Sequence, residues 1–195
     1  MSYPGYYSLS KVLEEVIVRE YNRNGTFPFT VVRLSAVLQE DSALGMLLCG
    51  WDPAHPETGP FSDRYSEAQR ERAARGERFV VPPHDASGRP LGRTVVHRQD
   101  VVEGLVSILG NKRVEGKTLH LSGPSFLYSE PCEYLATKLA LSTEHVSVPD
   151  AHSFAIDTSL TTKLTGWKPK YDVCAIVDAA LEWQEERRRI EERKL

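Results

Sequence analysis

The chain has 195 residues, 41% of them hydrophobic and 26% charged, with a formal net charge of −3. That length and composition allow a buried core without metals or disulfides and exclude a wholly disordered chain. The 24 Lys and Arg against 27 Asp and Glu make no strong field, so charge alone points to neither nucleic acid nor membrane as partner.

The opening MSYPGYYSLSK lacks the apolar core of a signal peptide. No apolar run approaches the roughly 20 residues of a membrane span. The expectation is a soluble, cytoplasmic protein. Cys49, Cys132 and Cys174 are odd in number, far apart and outside any CxxC or Cys/His ligand spacing. They read as reduced thiols, and no metal site is expected.

The first element runs from Ser8 to Asn24, with Leu13, Val16, Ile17 and Tyr21 at helical spacing and Asn24-Gly25 as its stop. Phe29 to Leu34 reads as a short strand whose nearly unbroken apolar run suits a parallel sheet covered on both faces. Trp51 to Gly59 is a loop, Asp63 to Arg75 a charged helix, Arg78 to Val81 a strand and Pro82 to Gly92 a second loop. Arg93 to His97 is a strand, and Asp100 is expected to cap a helix reaching Leu109. Thr118 to Leu121 is a strand, followed by a helix from Ser129, its expected cap, to Leu141. A strand at His145 to Val148, a helix at Ser159 to Leu164 closed by Gly166, and a helix from Val173 with a solvated charged end complete the chain.

Strands alternating with helices define an α/β protein. Only about two strands look covered on both faces, whereas parallel sheets commonly hold five or six. Part of a sheet is expected to be missing.

Tyr7 and Lys11, four apart, share one helix face. An ammonium beside a phenol favours the phenolate and lowers its pKa from about 10. Such a tyrosine can act as general acid or base on an alcohol or carbonyl. A bare YxxxK also fits an ordinary helix start, so its surroundings decide.

Those surroundings, PGYYSLSKVLEEVIVREY followed by FTVVRLSAVL, resemble the YxxxK segment of the extended short-chain dehydrogenases/reductases, the NAD-dependent epimerase/dehydratase family. The matching residues are Tyr7, Ser10, Lys11, Glu15 and Arg33. RTVVHRQD resembles the family's strand-to-helix junction at Arg93, His97 and Asp100. GKTLHLSGP and IDTSLTTKLTGWKPKYDV resemble its later strand and its ending. The resemblance implies part of a Rossmann-like, doubly wound parallel sheet lacking its N-terminal βαβ units, plus a small α/β substrate-binding lobe. It implies a remnant of the NAD(P)-binding domain at 1–41 and mainly substrate lobe at 42–195, with 93–122 returning to the core sheet.

The resemblance also implies roles. Tyr7 would transfer the proton, and Lys11 would bond the nicotinamide ribose and tune Tyr7. Leu34 would approach the nicotinamide through its backbone. Arg93 would face a substrate diphosphate, which suits a guanidinium fork. NAD or NADP is the implied cofactor, with hydride transfer on a nucleotide sugar or another carbonyl or alcohol.

The departures are specific. The glycine-rich GxxGxxG loop and the catalytic Ser or Thr that precede the tyrosine in the family are absent from the 195 residues. Cofactor binding by this chain alone is therefore open. Where nucleotide-sugar enzymes carry a substrate-binding Asn after Arg33, this chain has Ala36, and Gln39 replaces a glycine. The alternative reading is a non-catalytic remnant that binds a ligand or partner. Either way, an open sheet edge and uncovered helix faces are expected, to be closed by a homodimer or a completing chain. His97 reads as a structural histidine, and Trp51, Trp167 and Trp183 as packing residues without a nucleic-acid stacking platform.

Overall fold

The computed structural model describes residues 5–23, 25, 27–52, 54–55 and 57–193. The helix stop expected at Asn24, the loop prolines Pro53 and Pro56, and Pro4 of the YxxxK block lie outside them. Helices are α1 (Tyr6–Arg23), α2 (Glu67–Ala74), α3 (Arg98–Ile108), α4 (Ser129–Leu139), α5 (Ser159–Thr165) and α6 (Val173–Glu192). Strands are β1 (Val31–Leu34), β2 (Ala36–Leu38), β3 (Leu48–Cys49), β4 (Phe79–Val80), β5 (Pro83–His84), β6 (Gly92–His97), β7 (Thr118–Leu121), β8 (Ser125–Leu127), β9 (Ser142–Thr143) and β10 (Val146–Ser147).

β1 and β7 pair in parallel, Val31 opposite Thr118 and Leu34 opposite Leu121. β2 pairs in parallel with β6, which pairs antiparallel with β8. β3, β4 and β9 form a third small sheet, and β10 with β5 a fourth. The chain changes partner at Ser35. Its N–H donates to the Leu121 carbonyl at 3.1 Å, and the next residue, Ala36, already pairs with Val95. Past β7, the Gly123 N–H donates to the Val95 carbonyl at 2.8 Å. A Cβ on Gly123 would lie 2.4 Å from that oxygen, so only glycine permits the approach.

The main core lies among α4, α6, β3 and β4, where Leu44, Leu47, Leu48, Phe79, Val80, Leu135 and Ile176 are buried. Val173, Ile176, Val177 and Ala180 put the first half of α6 into it. A smaller cluster of Ile108, Val114 and Leu119, with Val32 against it, joins α3 to the β1–β7 pair.

No residue of α1 is buried. Polar ties hold the helix: Arg33 to Glu15 at 2.7 Å and Arg19 to Thr118 at 2.8 Å. Leu9, Leu13, Val16 and Ile17 of α1 are exposed, as are Val102, Leu105, Val106 and Leu109 on and just beyond α3. Arg33 reaches α1 while its neighbour Val32 packs with Ile108 of α3, so the two helices lie on opposite faces of β1. Among the described residues β1 pairs only with β7, and its other edge is open.

Several expectations are corrected. Asp100 does not cap α3. The His97 side chain does, accepting from the Gln99 N–H at 3.2 Å. Asp100 is the third residue of α3, within its first turn and fully buried, its carboxylate accepting the N–H of Lys170 at 2.9 Å and of Tyr171 at 3.1 Å. Ser129 is the first residue of α4, not its cap, and Tyr128 precedes it with no capping bond. The charged segment 63–75 splits into a 3-10 turn and the shorter α2, because Ser66 forms a capping box with Gln69. The loop 82–92 contains β5, paired with β10. No described helix is long and apolar enough to cross a membrane. Among the described residues no cluster of His, Cys, Asp and Glu could hold a metal. Cys49 and Cys132 are buried, and burial pushes the Cys132 thiol up to about 12.

Candidate active site

The spacing that puts Tyr7 and Lys11 on one helix face also turns them toward β1. A cleft of about 1060 Å³ runs between α1 and β1, lined by Tyr7, Lys11, Glu14, Glu15, Arg33 and Leu34 among others. Three of the four expected site residues, Tyr7, Lys11 and Leu34, therefore line one open cleft, in which Tyr7 is 76% exposed. The Lys11 ammonium lies 5.5 Å from the centre of the Tyr7 ring. It donates to both carboxylate oxygens of Glu14, at 3.0 and 3.1 Å. That carboxylate holds the Lys11 pKa above its usual value. The Ser10 hydroxyl donates to the Tyr7 carbonyl at 2.8 Å, serving the helix backbone.

Glu15 and Arg33 close the cleft floor with two hydrogen bonds, at 2.7 and 2.9 Å. The Arg33 guanidinium holds the Glu15 carboxyl below the usual carboxylate range. The register explains why Leu34 is available. Val31 and Ser35 N–H groups bond toward β7, so by strand alternation the N–H and C=O of Val32 and Leu34 point to the open edge.

Arg93 lies outside this cleft, on β6. Its nearest polar partner is the Tyr128 hydroxyl at 3.5 Å, and among the described residues it forms no ion pair. Burial raises the Tyr128 phenol. Phe61 and Phe126 stand edge-on to the Tyr128 ring at 6.0 and 5.7 Å. Glu14 is the cleft residue that the sequence reading missed. Its signal was present, an acid three residues beyond Lys11 on a helix.

The residues fit one end of a dinucleotide. Tyr7, Lys11 and the Leu34 backbone offer donors and acceptors suited to a nicotinamide and its ribose. The chain carries no glycine-rich loop at a helix N-terminus for the pyrophosphate.

Residues 1–65 match an NAD-binding family model described as male sterility protein. A short-chain dehydrogenase/reductase superfamily protein from Agrobacterium tumefaciens, solved with bound NAD, superposes on 96% of the chain at TM-score 0.76 and 16% identity. The fold is that of the short-chain dehydrogenases/reductases. The dTDP-glucose 4,6-dehydratase of Bacillus anthracis, in complex with NAD, covers 95% of the chain at TM-score 0.64 and 18% identity. The UDP-glucuronic acid 4-epimerase of Bacillus cereus, with UDP-glucuronic acid and NAD, covers 92% at TM-score 0.62 and 13% identity. The chain spans 60%, 54% and 52% of these three proteins' lengths, so it has the fold of a part of each. No curated protein matches the sequence.

Proposed function

We propose that this chain supplies the acid–base and nicotinamide-ribose portion of an NAD(P)-dependent epimerase, dehydratase or reductase, and the lobe that holds its substrate. The observation that carries this reading is the single cleft shared by Tyr7, Lys11 and Leu34. Bound NAD(P) would supply a hydride acceptor or donor. The Tyr7 hydroxyl exchanges a proton with a substrate hydroxyl or carbonyl oxygen. The Lys11 ammonium, once it leaves Glu14, can donate to ribose hydroxyls. The Leu34 backbone, which has no strand partner on the open edge among the described residues, can bond a carboxamide.

Arg93 binds the anionic part of the substrate from β6. Its half-buried guanidinium lacks an acidic partner among the described residues, and its fork suits a diphosphate. A nucleotide sugar, as in the dehydratase and epimerase neighbours, is one substrate class. Ala36, which offers no side-chain hydrogen bond, equally admits another carbonyl or alcohol. In this reading 1–41 belongs to the cofactor domain and 42–195 mainly to the substrate lobe, with 93–122 returning to the core sheet and the protein cytoplasmic. A homodimer or a completing chain covers the open β1 edge.

The test is calorimetric titration of NAD and NADP into the folded 195-residue chain and its Lys11→Ala variant. Saturable binding that weakens by about tenfold or more in the variant, near 1.4 kcal/mol, supports the reading. Binding that ignores Lys11→Ala overturns it, and none at millimolar dinucleotide overturns cofactor binding by this chain alone.

A further inference from the structure

A second cleft shares no residue with the first. It measures about 1100 Å³ and lies between the second half of α6, the end of α4 and the segments around Trp51 and Arg78. Its size suits a small-molecule site. Two indoles, Trp51 and Trp183, form its apolar walls, both half-buried.

Most charges lining this cleft are spent in ion pairs. Lys138 is paired with Asp178 at 2.8 Å. Arg187 is paired with Glu191 at 3.5 Å and covers one face of the Trp183 ring, 5.1 Å from its centre, which leaves the other face for a ligand. Arg188 is paired with Glu185 at 2.9 Å, and Asp52 with His55 at 3.1 Å. Arg78 is the exception among the cations. It is an exposed residue at the cleft's rim, with no ion pair or side-chain hydrogen bond among the described residues. Neither Trp51 nor Trp183 spends its indole N–H on the protein among those residues. By contrast, the third indole, Trp167, donates to the Asp100 carbonyl at 3.0 Å. The cleft therefore offers an unspent guanidinium and two unspent N–H donors beside aromatic faces. Among the described residues, its one carboxylate without a partner is Asp41. Donors outnumber acceptors, and the apolar surface is planar.

We propose that this cleft binds a small organic anion with a flat apolar body, an aryl carboxylate or a ligand of that chemistry. Arg78 meets the anionic group through its fork. Trp51 and Trp183 cover the flat body and can donate to its polar edge. The proposal is independent of the Tyr7 cleft.

The three indole N–H groups give three nitrogen–proton signals in the NMR spectrum, and Trp167 is the internal control. Benzoate is the probe, with inorganic phosphate as an anion lacking the body and benzyl alcohol as a body lacking the charge. The expected result is a saturable shift of the Trp51 and Trp183 signals below about 10 mM benzoate, with Trp167 unmoved. Arg78→Gln should weaken it by about tenfold while the Trp167 signal shows the fold intact. Phosphate and benzyl alcohol should each bind more weakly than benzoate. No saturation in that range overturns the proposal. So does binding that ignores Arg78→Gln, or phosphate binding as tightly as benzoate.

Discussion

Replacing Asp100 with alanine tests the most consequential correction to the sequence reading. The carboxylate is fully buried and accepts two backbone N–H groups, from Lys170 and Tyr171. These bonds fasten the segment before α6 onto α3, 70 residues away in sequence. Hydrogen bonds to a charged group contribute about 1.5–3 kcal/mol each, and a donor left unpaired in the interior costs more. Two such bonds, with some re-solvation of the partly exposed Lys170 and Tyr171, give a loss of about 3–5 kcal/mol. For a chain of this size that lowers the melting temperature by about 6–20 °C. Urea unfolding followed by tryptophan fluorescence measures it. A helix cap would lose only about 0.5–2 kcal/mol and would accept serine as a substitute. Asp100→Ser therefore separates the two roles, because a hydroxyl cannot reach both N–H groups. If Asp100→Ala costs less than about 1 kcal/mol, or if serine restores wild-type stability, the anchoring role is wrong.

Acid should loosen α1 before it unfolds the lobe. Arg33 depresses the Glu15 pKa, so their stabilisation is fully present above the usual carboxylate pKa of about 4.3 and is lost as the pH falls through the lower folded-state value. Hydrogen exchange of α1 amides should accelerate in that acid window, and Glu15→Gln should remove the pH dependence. Gly123→Ala should destabilise the chain by about 1–3 kcal/mol, because its Cβ would lie 2.4 Å from a fixed backbone oxygen. Gly104→Ala should cost less in the same unfolding assay, since it meets the movable methyl groups of Leu121 at 2.7 Å and gains helix propensity.

Local signals carried much of this fold. The 3.6-residue periods of α1 and α3, the apolar run of β1 and the glycine closing α5 all lie where the sequence puts them. What stayed hidden depends on distant partners. β2 and β8 are three residues each and gain their meaning only by pairing with β6. Asp100 looked like a cap because the N–H groups that claim it come from Lys170 and Tyr171. The YxxxK spacing located Tyr7 and Lys11, but not that Lys11 rests on Glu14. An i, i+3 acid competes for the same ammonium, and helix geometry alone does not decide which contact is kept.

The attachment of α1 links the fold to the proposed chemistry. A helix with no buried residue, held by the Glu15–Arg33 pair and by Arg19 on Thr118, gains little from packing. Exposed ion pairs of this kind are worth at most about 1 kcal/mol. Yet this helix carries Tyr7 and Lys11, and proton transfer needs them placed to a fraction of an ångström. The exposed apolar rows of α1 and α3 lie on opposite faces of β1, whose free edge presents the Val32 and Leu34 backbone. A parallel strand with its own helices, set against that edge, would bury both rows and clamp α1 from the side. Pairing at Val32 would fix the strand while Leu34, at its C-terminal end, stays available, which is where open α/β sheets bind ligands. In the proposed reading, covering the edge and rigidifying the Tyr7–Lys11 pair are therefore one event, and catalytic competence follows the state of β1 rather than the lobe's own stability.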